Sequence, residues 1–521
     1  MKKISPNLRS HTIKMLALAA ALGPAGCAVG PDFKKPAAPS SAGYSPTPLP
    51  DQNRPLVAGG EAQRLVPGQN VPGDWWQAFN CPALNTLVER ALRKNDSITA
   101  AKASLRQAQE LVSAQQGGYY PSVDASYNFE RQQLAGNLGG NSPGIQGNGS
   151  VISTTQGTPA ADGGTAPFNG PVTFNFHTLQ LSVGYTLDVF GENRRQVESL
   201  AAQAAMQRYE LAAAYVTLAA NVVGAAIQEA ATRAQIDSTE KIIAANTRGL
   251  AALKNQRQAG YASDLDVATQ EAALAQAQQT LPPLQKQLEQ TRDLIRMLAG
   301  NLPNEDVAET FDFSMLHLPA DLPLSLPSLI IRQRPDVLAA EEQLRSANAQ
   351  LGAAIANRLP QFTLTATGGG TATRINQMFS NGGPFWTLVG NVDQPLFDGF
   401  TLLHRQRAAR QALLQAAAQY RSTVVGAYQN VADTLHALVA DTKALKAAAA
   451  AEHTAAVSLA LTQRQFQVGY AGYLPLLNSE AAHEQAEIAV VQAQAGRYAD
   501  TVALFQSLGG GWWARPDLTK N

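Results

Sequence analysis

The feature that most limits the fold of this 521-residue chain is that it repeats itself. "NDSITAAKASLRQAQELVSAQQGGYYPSV" from Asn95 aligns without a gap on "RPDVLAAEEQLRSANAQLGAAIANRLPQF" from Arg334, with Pro121 on Pro360 and Leu105 on Leu344. "QAGYASDLDVATQEAALAQAQ" from Gln258 aligns on "QVGYAGYLPLLNSEAAHEQAE" from Gln467, and "LDVFG" ending at Gly191 on "PLFDG" ending at Gly399. Each half therefore predicts one order: helix, proline, strand, loop, strand, glycine, very long helix, Gly-Tyr turn, helix. Likeness among Ala-rich helices does not also align a proline, a Phe/Gly junction and a Gly-Tyr turn, so the chain is an internal duplication.

The strands raise a problem of burial. In "PSVDASYNFE" from Pro121, Val123, Ala125, Tyr127 and Phe129 alternate with Asp124, Ser126, Asn128 and Glu130, the period of a two-faced strand. Residues 123–131 and 172–187 are the strands of the first half; "FTLTATGGGTATR" from Phe362 and "WTLVGNVDQPLF" from Trp386 are those of the second. The alternation of Val172, Phe174 and Phe176 changes phase before Leu179, Leu181 and Val183, which predicts a bulge or bend at His177 and Thr178. Four two-faced strands cannot bury themselves in an otherwise helical chain. A membrane barrel solves this, with apolar residues towards lipid and polar residues towards a water-filled lumen. Four strands do not close a barrel and an open edge is not tolerated in lipid, so several copies must share one.

The helices are long. Proline is absent from Val172 to Leu281 and from Leu396 to Leu474, and Glu192–Gln258 as one helix would span about 100 Å at 1.5 Å per residue. Seams of small and apolar residues, such as Leu211, Tyr215, Leu218, Val222 and Ala225, or Val431, Leu435, Leu438, Thr442 and Leu445, fit helix-on-helix packing. Beyond the N-terminus no unbroken apolar run reaches the ~18 residues of a spanning helix, which argues against a helical membrane protein.

Lys plus Arg equals Asp plus Glu, 40 each, and no basic stripe appears, so no nucleic-acid partner is expected. No GxSxG, HExxH or P-loop occurs, and His483-Glu484 lacks a second zinc-ligating histidine. The seven histidines are scattered and the six methionines form no soft-metal cluster. The expectation is no enzyme, no metal and no cofactor.

At the N-terminus, Lys2, Lys3, Arg9 and Lys14 precede the short apolar run "MLALAAAL", which ends in "GPAGC". This resembles a bacterial lipoprotein signal over residues 1–26, with Cys27 as the lipidated first mature residue; Pro24 stands where such signals carry leucine. An ordinary secretory peptide is the alternative. Residues 27–73, rich in proline, read as an extended lipid-anchored leader rather than a packed domain. The second cysteine, Cys81, reads as a small buried residue, and no disulfide framework is expected.

Six segments together resemble the TolC/OprM-like outer-membrane efflux proteins, in their lipoprotein NodT-type branch. They are "CAVGPDF" from Cys27, "DWWQAFNCPALNTLVERAL" from Asp74, "RQRPDVLAAEEQLRSANAQLGAAIANRLP" from Arg332, "QPLFDG" from Gln394, "FQVGYAGYL" from Phe466 and "LGGGWW" from Leu508. The resemblance implies a mainly α fold with a membrane β-barrel portion: a homotrimer with a shared twelve-stranded barrel in the outer membrane, a helical periplasmic tunnel and an equatorial belt. The repeats are expected at residues 74–300 and 332–508, joined by 301–331 and followed by a tail, 509–521. Implied partners are outer-membrane lipid, a periplasmic adaptor and an inner-membrane resistance-nodulation-division transporter. The implied function is passive efflux of small molecules. A type I protein-secretion duct and a lipid-anchored periplasmic coiled-coil scaffold are the alternatives.

The resemblance places the periplasmic entrance at the tip turns Gly260-Tyr261 and Gly469-Tyr470. Asp264 and Asp266 would form acidic groups there, Leu474 an apolar constriction, and Asn478 replaces an aspartate frequent in relatives. Asp264 also suits a helix N-cap. Pro121 and Pro360, with Gly191 and Gly399, are expected at helix–strand junctions. Relatives often carry Asp at Cys81, so a capping role is lost there. Residues 132–170 form a first-hairpin loop rich in Gly, Asn, Ser and Thr, much longer than that of the second, at Arg374 to Pro384.

Overall fold

A computed structural model describes residues 28–37, 43–44, 56–58, 61–134, 172–380 and 382–519. The signal segment, Cys27 and most of the 132–170 loop lie outside the described residues. The strands are β1 (Leu56–Ala58), β2 (Glu61–Pro67), β3 (Ser122–Leu134), β4 (Val172–Leu187), β5 (Asp321–Leu324), β6 (Gln361–Ala372) and β7 (Pro384–Asp393). The helices are α1 (Pro82–Lys94), α2 (Asp96–Gln116), α3 (Glu192–Gln258), α4 (Asp264–Leu298), α5 (Pro327–Gln333), α6 (Pro335–Ala356), α7 (Thr401–Gln467), α8 (Tyr473–Ser507) and α9 (Pro516–Thr519). Absence of proline and a run of strong helix formers let α3 and α7 continue for 67 residues each. The chain divides into two compact units.

The first unit comprises the described parts of Met1–Phe33, Gln109–Ala202 and Arg345–Leu414. It contains an antiparallel sheet in the order β3-β4-β6-β7, so β3 and β7 are edges. The register sorts the side chains by chemistry. One face stacks Val123, Val183, Ala366 and Leu388, then Ala125, Leu181, Gly368 and Trp386; the other stacks Asp124, Ser182, Thr367 and Thr387. On the apolar face Val123, Tyr127, Leu181, Trp386 and Leu388 remain exposed, Trp386 at 79%. Among the described residues of this unit these side chains have no covering layer.

The expected bulge in β4 is absent. Asn128↔Thr178, Phe129↔His177 and Glu130↔Phe176 follow one another without an extra residue. The phase change is one of polarity: beyond the Phe129–His177 pair the apolar side chain of Phe176 falls on the opposite face, while the ladder continues. His177 completes the apolar row, its Nδ1 2.8 Å from Tyr127 Oη and its ring 4.9 Å from that of Phe129. β7 ends at Asp393, short of the expected Phe397. Pro121 and Pro360 stand immediately before β3 and β6, and Gly191 and Gly399 take left-handed φ of 78° and 66° before α3 and α7. At the second junction Phe400 is also left-handed, at 65°.

The second unit comprises the described parts of Lys34–Ala108, Gln203–Leu344 and Gln415–Asn521. Its core joins the Asp-Trp-Trp segment to α8: the Trp75 ring stacks on Phe505 at 5.1 Å, and Phe79 meets Tyr498 at 6.3 Å. Cys81 is buried at the N-cap position of α1 and makes no side-chain cap. The Arg-Pro-Asp and Gly-Gly-Gly-Trp-Trp segments meet at the end of α8. Arg334 Nη1 donates to Ser507 O at 2.9 Å, supplying a cation to the last carbonyls of the helix, and its other nitrogens hold Asp336. Trp512 Nε1 donates to Gln333 O at 2.7 Å. Gly510, left-handed at φ 61°, lets the backbone approach Val216; a Cβ there would lie 2.6 Å from that side chain.

The leader departs from its expected extended form. β2 pairs in parallel with β5 and antiparallel with β1, making a three-stranded sheet. Gln63 of β2 is fully buried, accepting from Arg497 Nε at 3.0 Å and donating to Thr501 Oγ1 at 3.2 Å. The leader thus packs because it carries strand residues between its prolines. The α3–α4 pair is pinned by charge: Arg292 donates to Val307 O and Glu309 O at 2.6 Å and to Asp306 at 2.9 Å, and stands 3.5 Å from the buried Glu229. One 18-residue window of α3 reaches a mean hydropathy of 1.6, adequate for a membrane span. Since 67% of that window is buried against the chain, it is a packing surface.

Replacing Trp75, 1% exposed, by alanine removes one of the two adjacent indole rings of this core. The variant is expected to lose about 3–5 kcal/mol and to melt at lower temperature in detergent by circular dichroism, with its helix signal unchanged at 25 °C.

Candidate functional site

The two Gly-Tyr turns close the hairpins α3–α4 and α7–α8, and both helices stop in the same way. Gly260 N–H donates to Arg257 O and Tyr261 N–H to Gln256 O, each at 2.9 Å; Gly469 donates to Phe466 O at 3.1 Å and Tyr470 to Gln465 O at 2.9 Å. These are Schellman caps, with glycine in the left-handed position at φ 80° and 79°. Tyr261 and Tyr470 project from the tips, 86% and 89% exposed.

The next helices begin differently. Ser263, not Asp264, caps α4: its Oγ accepts from Asp266 N–H at 3.1 Å, and the Asp266 carboxylate accepts from Ser263 N–H at 2.9 Å. The cap falls on Ser263 because the turn is one residue shorter than the Asp264 expectation required. Bonds from Ser263, first its hydroxyl and then its N–H, hold the Asp266 carboxyl below the usual range. Asp264 instead pairs across the turn with Arg257 at 3.0 Å, both side chains largely in water, so the pair adds little stability. α8 starts from Gly472, which offers no side-chain cap. In its first two turns Leu474 is 60% exposed and Asn478 is exposed, whereas Leu476 and Ser479 face inward.

The structure joins the two hairpins through side chains that sequence reasoning missed. Tyr473 Oη donates to Gln270 Oε1. Gln270 Nε2 donates to Asn246 O and Oδ1 at 3.0 Å, and Asn246 Nδ2 donates to Glu484 Oε1 at 3.3 Å. The relay leaves the first turn of α8, crosses α4 and α3, and returns to α8 at Glu484. Gln270 is 0% and Asn246 4% exposed, so both amides depend on these bonds. The available sign was a glutamine on the same stripe as Val267, but its partner lies on another helix and no spacing reveals it.

Beside the relay, α3, α4 and α8 enclose a cavity of about 460 Å3, bordered by Ile242, Gln276, Leu477, Glu480 and Glu484. Burial, then the charge of Glu480, pushes the Glu484 carboxyl up to about 7, against the opposing hydrogen bond from Asn246. Burial also raises Glu480. Among the described residues no three His, Cys, Asp or Glu side chains come together to hold a metal.

Residues 87–301 and 326–510 match the family described as outer membrane efflux protein. Outer membrane protein OprJ of Pseudomonas aeruginosa is 27% identical over 518 residues, covering 97% of each chain. The antibiotic efflux pump outer membrane protein ArpC of Pseudomonas putida is 25% identical over 490 residues, covering 94% of this chain and 93% of its own. The solved outer-membrane channel OprN superposes with a TM-score of 0.79 at 25% identity, over 93% of this chain and all of that one. A duplicated helix–strand–strand–helix chain with an uncovered apolar sheet face and paired helical tips is thereby placed: it belongs to the outer membrane efflux protein family, as a TolC/OprM-like outer-membrane channel component of an efflux pump.

Proposed function

We propose that three copies form one passive duct, each giving four strands to a twelve-stranded outer-membrane barrel and two hairpins to a periplasmic tunnel. The observation that carries this reading is the β3-β4-β6-β7 sheet, apolar on one face and polar on the other, whose two edges are unpaired among the described residues. In hydrocarbon each unpaired N–H and C=O is costly, so edge β7 of one copy closes on edge β3 of the next. Small-molecule cargo, a periplasmic adaptor and an inner-membrane resistance-nodulation-division transporter complete the assembly. The chain performs no catalysis; the inner-membrane partner supplies the energy. The antibiotic-efflux name of ArpC supports small molecules over polypeptides. Lipidation of Cys27 provides a further anchor.

The tips form the entrance. Threefold repetition makes rings of Asp264 and Asp266, which attract cations, and of Leu474, which narrows the mouth. The Tyr473–Gln270–Asn246–Glu484 relay holds the second hairpin against the first in the closed state, and adaptor contacts open the mouth by displacing the hairpins. Asn478 brings no charge at this depth.

Three measurements test the reading. Leu388→Arg, on the apolar face, is expected to disfavour membrane integration by roughly 2–4 kcal/mol per copy and to deplete the protein from outer-membrane fractions; Thr367→Lys on the opposite face is expected to be tolerated. Equal fractionation of both would exclude the barrel orientation. Tyr473→Phe and Gln270→Ala are expected to raise the conductance of purified protein in planar bilayers several-fold, and unchanged conductance in both would remove the relay from the gate. The third concerns pH. The folded Glu484 carboxyl titrates near 7 against an ordinary 4.5, so its ionised form is disfavoured by folding. That penalty is absent below about 4.5 and complete above about 7. The closed tip is therefore expected to be firmer at pH 5 than at pH 8, with lower conductance, and Glu484→Gln to flatten the profile.

A further inference from the structure

The first described residues are held far more elaborately than a tether requires. Val29 N–H donates to Phe190 O at 3.0 Å, where β4 has ended and α3 is about to begin. Arg195, in the first turn of α3 and with a side chain only 5% exposed, then reads the segment's backbone. Its Nε donates to Val29 O at 3.2 Å and its Nη2 to Gly30 O at 3.3 Å and to the Asp32 carboxylate at 2.9 Å. Glu198 accepts from Nη1 at 2.8 Å and so neutralises the guanidinium. From α6, Asn348, 6% exposed, donates to Pro31 O at 2.7 Å. Three successive carbonyls are thus recognised by two buried side chains.

The shape of the site matches the segment's glycine and proline. Gly30 takes a left-handed φ of 97°, and a Cβ on it would lie 2.6 Å from Gly352 Cα. A Cβ on Gly352 would lie 2.9 Å from Arg195 Cδ, and one on Gly191 2.7 Å from Ala28 Cα. Each glycine clears the path for another part of the same contact. The Arg345 guanidinium stands 6.0 Å from the Phe33 ring centroid and closes the far end. Burying an arginine is costly unless its hydrogen bonds are satisfied, and here the leader provides three of their acceptors.

We propose that Gly191, Arg195, Asn348 and Gly352 form a docking site for the Ala-Val-Gly-Pro-Asp-Phe peptide, bent at its glycine, and that docking of Ala28–Phe33 clamps this segment onto the β4–α3 junction. The Ala28–Phe33 segment is then held rigidly rather than as a loose tether. The clamp goes beyond the efflux reading and needs neither an acyl group nor an adaptor.

Protease accessibility of the Lys34-Lys35 bond, just beyond the clamp, tests this in the full-length protein in outer membranes. Cleavage of a docked segment follows its opening equilibrium. Arg195→Met and Asn348→Ala are expected to accelerate lysyl endopeptidase cutting roughly tenfold or more, the effect of losing buried charge-assisted or amide hydrogen bonds. Arg195→Lys, a point donor unable to span three acceptors, is expected to fall between. Cys27→Ser is expected to keep the wild-type rate once the protein is assembled. Rates within twofold of wild type for both Arg195→Met and Asn348→Ala would overturn the clamp. If Arg195→Met fails to fold, Asn348→Ala decides alone, against an unchanged thermal midpoint. Dye efflux is measured in parallel: faster cutting with efflux intact supports the clamp, while wild-type protein that restores no efflux to cells lacking it counts against the channel reading alone.

Discussion

An open sheet with one apolar face is the constraint on which the rest depends. Among its described residues, the unit offers no layer to cover Val123, Leu181, Trp386 and Leu388, and no strand to pair β3 or β7 along their outer edges. In water both features lead to association; in lipid the apolar face is satisfied at once and only the edges remain. The structure therefore makes sense as part of something larger than one chain. Duplication gives the economical solution, since two similar hairpins, β3–β4 and β6–β7, join side by side into one continuous ladder.

The same economy appears in the helices, where strongly different side chains do equivalent work. Both hairpins stop at a left-handed glycine followed by an exposed tyrosine, yet they restart differently, one from a serine–aspartate capping box and the other from an uncapped glycine. The better-capped end is α4. The uncapped α8 is instead held by Tyr473, whose hydroxyl reaches Gln270 on α4. Local capping and tertiary bonding thus divide the stabilisation of the tips.

Buried arginines play a recurring part. Arg195, Arg292, Arg334 and Arg497 are each less than a tenth exposed; the first three meet backbone carbonyls as well as carboxylates, and Arg497 donates to the Gln63 amide oxygen. Guanidinium donors fit this use because several planar N–H groups can satisfy acceptors from different segments at once. At Arg292 they tie a connecting loop to the α3–α4 pair, at Arg334 the second repeat to the end of α8, and at Arg195 the leader to α3. The fold has few charges, 15% of its residues, and spends several of the basic ones on holding irregular backbone.

The sequence by itself determined the duplication, the two-faced strands, the unbroken 67-residue helices and the Gly-Tyr turns, because each is a local pattern of period, proline and glycine. It also pointed to the family, since six ordered segments carry the resemblance. What it could not reach depends on contacts between residues far apart in the chain. Strand pairing of β2 with β5 was invisible because a proline-rich leader reads as extended whether or not a distant strand accepts it. The relay escaped because Asn246, Gln270 and Glu484 look like ordinary polar positions on helices until three helices pack. Ser263 rather than Asp264 as cap was decided by where the turn ended, a matter of one residue. The polarity change at His177 looked like a break in the chain, but the ladder shows it to be a change of surroundings. Periodicity reports which side of an element is buried; only tertiary packing decides what buries it.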